Sequence, residues 1–253
     1  MCDCVIITGM HRSGTSLAAS YLQATGLFLG DNLMPAYRDN VKGYFEDVDV
    51  VHLHRRLLKE HHVHALKPKP FSVRPEDIER GTRLYEARKR SPAPRGWKDA
   101  RAALFLDYWE TIIEIPCYFM VYRHPLDVIA SLIRRCTDIP VLLNPLVCAS
   151  CYCAYNRKLV AFLKTHRQRC VLVHVKDLID RAPEVVRRLN RRFDLNLSPR
   201  PIRCVYADNL LKAETRRFSL ARLVYRLHQR ELDAVYAELN RLNDMQSEPA
   251  STE

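Results

Sequence analysis

Residues 5 to 16 read Val-Ile-Ile-Thr-Gly-Met-His-Arg-Ser-Gly-Thr-Ser. A β-branched apolar run stops at Gly9, and Gly14, Thr15 and Ser16 open a segment with helical apolar spacing from Leu17 to Leu22. A strand, a glycine-bounded loop and a helix start in that order form a phosphate-binding loop, whose backbone N–H groups and helix N-terminus cradle an anion. A loop built for ATP or GTP places a lysine just after its second glycine; here that position is Thr15, and the cation is Arg12, inside the loop. The spacing therefore keeps the phosphate and argues against ordinary nucleotide-triphosphate chemistry. His11, Arg12, Ser13, Gly14, Thr15 and Ser16 are the binding candidates of this block.

Two further blocks carry cations at predicted strand ends. Arg123 follows the apolar run Tyr118 to Tyr122, and Ser131 comes eight residues later, two turns into the next helix. A forked guanidinium and a short hydroxyl so placed can converge on one anion. Lys98 and Arg101 follow a short strand, with Asp99 between them as a helix cap.

The elements that must position these groups alternate. Strands are predicted near 5–8, 95–98, 118–122 and 170–175, and helices at 17–22, 47–60, 76–90, 102–113, from Pro125 to Arg135, 146–165 and 183–193. Asp47 reads as an N-cap, and residues 76–90 as an exposed charged helix. Strands alternating with helices give a parallel sheet covered on both faces, with ligands beyond the strands' carboxyl ends. The expected fold is α/β, a three-layer P-loop-like arrangement with a central parallel sheet flanked by helices, plus a C-terminal helical segment. One domain is expected over 1–253, with a core at about 5–195 and a helical extension at about 205–245. In that tail Leu220, Leu223, Leu227, Leu232, Val235, Leu239 and Leu242 recur at helical spacing, for packing on the domain or for a homo-oligomer contact.

Composition narrows the field further. At 253 residues and 47% apolar content the chain can bury a sizeable core. No run approaches the roughly 18 apolar residues of a membrane span, and the start lacks the apolar core of a secretory leader. The expectation is a cytoplasmic protein. The net charge of +11 suits an anionic partner. The arginines are scattered, though, without zinc-finger spacing or interleaved aromatics, so no nucleic acid is expected. Much of the excess charge, including Arg187, Arg188, Arg191 and Arg192, reads as solvated helix surface. Cys148, Cys151 and Cys153 lack a second ligand pair and read as buried reduced thiols. His61, His62 and His64 read as a solvated loop, and His52 and His54 as background. No metal site is expected.

Taken together, the three blocks resemble the sulfotransferases that use 3′-phosphoadenosine 5′-phosphosulfate (PAPS). Gly9 to Ser16 is similar to that family's loop for the 5′-phosphosulfate, and Arg123 with Ser131 to its pair for the 3′-phosphate. Lys98 to Arg101 resembles the Lys-x-Pro-Arg element of the bacterial and carbohydrate-type branches, with Ala100 at the proline position. Asn40 to Glu46 resembles an acidic element of the same branches. The resemblance spans about residues 5 to 195.

It implies in-line transfer of a sulfuryl group from PAPS, leaving 3′-phosphoadenosine 5′-phosphate (PAP), to a hydroxyl or amine. The expected acceptor is a small molecule, a saccharide or other hydroxylated metabolite. Arg12 and Lys98 would stabilise the developing charge, and Glu46 would be the general base, with Asp47 and His11 in reserve. The competing readings are a small-molecule kinase and a non-catalytic nucleotide- or anion-binding protein; magnesium dependence separates the kinase.

Overall fold

The computed structural model describes residues 2–35, 43–135, 138–206 and 219–247. Four buried strands form one parallel sheet: β1 (Cys4–Gly9), β2 (Gly96–Lys98), β3 (Pro116–Tyr122) and β4 (Cys170–His174), in the order β2-β1-β3-β4. From β1 the chain crosses first to β2 on one side and then to β3 on the other. The strand order therefore reverses between β1 and β3, and the crevice at their carboxyl ends is where such sheets bind ligands.

The strands are apolar on both faces, as buried parallel strands must be. Ile6, Tyr118, Met120, Tyr122 and Leu172 point into one core, while Val5, Ile7, Phe119, Val121, Val171 and Val173 point into the other. The second core is closed by α1 (Thr15–Ala24) and, later in the chain, by α8 (Val175–Asp180) and α9 (Ala182–Phe193). The first is closed by α2 (Val48–Glu60), α3 (Pro75–Arg88), α4 (Leu106–Glu110), α5 (Pro125–Arg135), α6 (Ile139–Leu143) and α7 (Val147–Thr165). The C-terminal helices α10 (Ser219–Leu227) and α11 (Gln229–Ser247) lie on that same side. The result is the expected three-layer α/β arrangement.

Two helices expected as continuous are broken, each for a local reason. In place of 102–113 stands a 3-10 turn over Ala100–Leu104 and then α4. Asp99 accepts from the Arg101 amide, and the Thr8 hydroxyl donates to the Ala100 carbonyl at 3.4 Å. Both bonds bind the turn's start away from an α-helical ladder. The tail breaks at His228, whose ring Nδ1 contacts the Val224 carbonyl while its amide bonds back only three residues, to Tyr225.

Of the tail's apolar set, Leu232, Val235, Leu239 and Leu242 are buried within the chain, whereas Leu220, Leu223 and Leu227 on α10 are exposed. Helix α11 also covers the sheet's edge. Gln246 accepts from the Leu172 amide at 2.8 Å and donates to the Cys170 carbonyl at 3.1 Å. Arg188, expected on a solvated face, is half-buried and donates to the Leu172 carbonyl at 3.0 Å. An edge strand's open backbone groups are thus satisfied by side chains.

Replacing Gln246 with alanine orphans a buried amide on β4. We expect a loss of about 1–3 kcal/mol, read as a lower urea midpoint with an unchanged slope; an unchanged midpoint would mean the edge is satisfied in another way.

Candidate active site

The loop after β1, the candidate phosphate loop, requires its glycines. Gly9 has φ +153°, and a Cβ there would lie 2.1 Å from the Val121 carbonyl oxygen. Gly14 has φ +99°, and its Cβ would meet Val175 Cγ2 at 2.5 Å. Arg12 holds φ +68°, a conformation uncommon for a residue with a side chain and concentrated at functional sites. Helix α1 starts without a side-chain cap and without an acidic residue in its first turn, leaving the positive end of its dipole to the loop. Ser13 is fully buried, its amide closes a turn onto Met10, and its hydroxyl has no hydrogen-bond partner among the described residues. An orphaned buried hydroxyl beside a glycine cradle fits an oxyanion such as phosphate.

The loop reaches both other blocks. Arg12 Nε donates to Ser131 Oγ at 2.9 Å, so Ser131 on α5 is joined to the loop across the switch between β1 and β3. Arg123, at the end of β3, is buried and contacts Asp127 Oδ2 at 3.4 Å. His11 lies edge-on to Tyr155, with Nε2 3.3 Å from its hydroxyl. Burial first, and then the charges of Arg101 and Lys98, push His11 down to about 3. The ring is therefore neutral at ordinary pH.

On the other side, Lys98 Nζ ends β2, 3.3 Å from Ser16 Oγ and 2.6 Å from Glu46 Oε1. Both partners of this pair are buried. Glu46 is held by its backbone: its carbonyl accepts from Met34, and the next residue, Asp47, caps α2 by accepting from the amides of Asp49 and Val50. Asp47 also takes a two-pronged pair from Arg88, with both contacts at 2.8 Å. That commits Asp47 to structure and removes it as a reserve base. Residues 36–42, including the start of the Asn40 to Glu46 segment, lie outside the described residues; among the described residues Glu46 pairs with Lys98 through one oxygen and with Arg101 through the other.

Behind the pair lies a layer in which Arg101 and the Asp99 cap were singled out from sequence, but His54 and Trp109 were not. Arg101 Nη2 reaches Glu46 Oε2 at 3.3 Å, and Arg101 Nε binds Asp99 Oδ1 at 2.8 Å. Asp99 Oδ2 lies 2.8 Å from His54 Nδ1, and His54 Nε2 accepts from Trp109 Nε1 at 3.0 Å. Burial works against the Asp99 carboxylate, but Arg101 and His54 outweigh it and hold its pKa well below the usual range. His54, read from sequence as background, is fully buried. The available signal was its place with Val50, Leu53 and Leu57 on the buried face of α2.

The other clusters have structural roles. His61 is not a solvated loop residue: its Nε2 binds buried Asp77 at 2.8 Å, within a network that includes Arg74 and Arg80. Cys148, Cys151 and Cys153 are buried free thiols, as expected. Among the described residues no group of three His, Cys, Asp or Glu side chains could hold a metal, and no helix is long and apolar enough to cross a membrane.

This arrangement matches solved structures over nearly its whole length. The sulfotransferase domain of the Synechococcus PCC 7002 olefin synthase superposes with a TM-score of 0.56 at 16% identity, covering 97% of this chain and 94% of that one. The chain has the sulfotransferase fold. The sulfotransferase domain of the curacin biosynthetic pathway matches with a TM-score of 0.53 at 15% identity, over 98% of this chain and 99% of that one. A sulfotransferase of Mycobacterium avium gives 0.53 at 13% identity, over 92% and 76%. In sequence, no family model and no curated protein matches. Within this sulfotransferase fold the Gly9–Gly14 loop, Arg123 and Lys98 all sit at the carboxyl ends of their strands.

Desolvated histidines give the site a pH signature. His11 is lowered from 6.5 to about 3, and burial also lowers His124 and His174. Between those values the unfolded chain binds more protons than the native one, so stability falls as pH drops below about 6.5. Urea midpoints should decline from pH 7 to 4.5, and His11→Gln should flatten that decline; the same slope in both proteins would contradict a His11 held neutral in the native state.

Proposed function

We propose that the protein is a single-domain sulfotransferase, moving a sulfuryl group from PAPS to a hydroxyl or amine of a saccharide or other hydroxylated metabolite. The observation that carries this reading is Lys98, which touches Ser16 at the phosphate loop and Glu46 at the same time. One cation thereby joins the place where a leaving phosphate would be held to the carboxylate that would take the acceptor's proton.

The donor supplies a sulfuryl group joined to a phosphate through a bridging oxygen. Arg12, the Ser13, Thr15 and Ser16 hydroxyls, and the N-terminal amides of α1 would hold the 5′-phosphate, with neutral His11 at the loop's flank. Arg123 and Ser131 would hold the 3′-phosphate, and Arg12, bonded to Ser131, would span the two anion positions. Lys98 and Arg12 would stabilise charge on the leaving oxygen, where fixed cations in a buried site act most strongly. Glu46 would accept the proton of the acceptor hydroxyl while Lys98 turns from it toward the leaving oxygen. All eight cysteines of the described residues are free thiols, which supports a reducing compartment such as the cytoplasm.

Thermal denaturation with PAP, and separately with ATP and magnesium, tests the assignment, because a ligand that binds only the native state raises the melting temperature. PAP should raise it and ATP with magnesium should not; the reverse would make the protein a kinase. Glu46→Gln should keep the PAP shift and lower PAP release from PAPS by about 10²–10⁴-fold. Unchanged release would move the base elsewhere.

A further inference from the structure

Behind the proposed catalytic pair lies a buried cluster that the mechanism above does not use. It contains Arg101, Asp99, His54 and Trp109, on three different elements. With Lys98 and Glu46 it holds two cations and two carboxylates. Such a set is costly to bury unless every charge is paired and hydrogen-bonded.

The hydrogen bonds run in one direction. Trp109 Nε1 can only donate, so His54 Nε2, 3.0 Å away, must accept. The His54 proton then sits on Nδ1 and is donated to Asp99 Oδ2 at 2.8 Å. The ring is held in that orientation by stacking on Phe105, with centroids 4.5 Å apart and planes 7° from parallel. Asp99 also receives Arg101 Nε at 2.8 and 3.0 Å on its two oxygens, and the Arg101 amide at 2.9 Å. A guanidinium fixed on one edge has one orientation left, and here that orientation sets Nη2 3.3 Å from Glu46 Oε2. The other carboxylate oxygen, Oε1, remains on Lys98.

We infer that His54 is a positioning residue for Glu46: its Nδ1–H fixes Asp99, Asp99 fixes Arg101, and Arg101 holds Glu46 Oε2 so that Oε1 faces Lys98 and the acceptor. The inference rests on Glu46 being the base of the proposed reaction. His54 touches neither donor nor acceptor, so its effect belongs in turnover rather than in donor binding.

Nuclear magnetic resonance on the full chain tests this without an identified acceptor. With nitrogen-15 histidine, His54 should show a protonated Nδ1 and an unprotonated Nε2. With carbon-13 carboxyl-labelled glutamate, the Glu46 signal (identified by its loss in Glu46→Gln) should be displaced or broadened in His54→Leu. His54→Asn retains a planar donor and acceptor and should bring the signal back toward its wild-type position. PAP release from PAPS should fall by about 10²-fold in His54→Leu, the scale of a small misplacement, and recover in His54→Asn, with the PAP-induced melting shift retained in both.

A Glu46 signal in His54→Leu identical to wild type, or a proton on Nε2, overturns the inference. If His54→Leu does not fold, Trp109→Phe removes the indole donor that fixes the ring's tautomer while keeping an aromatic ring in the core, and the same Glu46 signal decides. A wild-type protein whose melting temperature ignores PAP overturns the functional reading instead, so the two failures are separable.

Discussion

The Lys98–Glu46 ion pair sets the terms for the rest of the site. Its 2.6 Å contact is buried at the carboxyl end of the sheet, where an unpaired charge would cost several kcal/mol. That cost explains why the second oxygen of Glu46 is taken up by Arg101, why Arg101 is balanced by Asp99, and why Asp99 is answered by His54. It also explains the precise anchoring of the segment before α2. The Asp47 cap, the pair from Arg88 and the Met34 bond to the Glu46 carbonyl bring one carboxylate to β2.

The second constraint is topological. Because β1 lies between β2 and β3, the loop after β1 opens between two strand ends that both carry cations: Lys98 at the end of β2 and Arg123 just after β3. The close backbone approach at Gly9 and the left-handed Gly14 allow the loop to lie against β3 and α8 rather than rise over them. The same crossing brings Arg12 within 2.9 Å of Ser131, more than a hundred residues later in the chain. The layout therefore joins the loop after β1 to α5 through one guanidinium.

Much of this was legible in the sequence. The glycine-bounded loop between β1 and α1, the Asp47 cap, the proline start of α5 and the buried strands each carry a local signal, because a glycine pair, a capping carboxylate or a β-branched run constrains its own neighbours. The broken helices were not legible, since Thr8 and His228 interrupt the ladders by contacts that spacing alone does not encode. Arg188 and His61 were misread for a related reason: composition treats a charged or titratable side chain as solvated, while the fold gives each a buried partner; His54, read as background, likewise gains a buried partner. The pairing of Lys98 with Glu46 spans fifty-two residues, and nothing local at either position announces the other.

The account's central claim is that the phosphate loop and the Arg123 end of β3 read one molecule bearing two phosphates. Calorimetric titration with PAP and with adenosine 5′-phosphate, for the wild type and for Arg123→Ala, tests it most directly. The account predicts that the substitution weakens PAP by about 1.5–3 kcal/mol, the range of a hydrogen bond to a charged group, and leaves adenosine 5′-phosphate nearly unchanged. Equal losses for both ligands, or none for either, would contradict it.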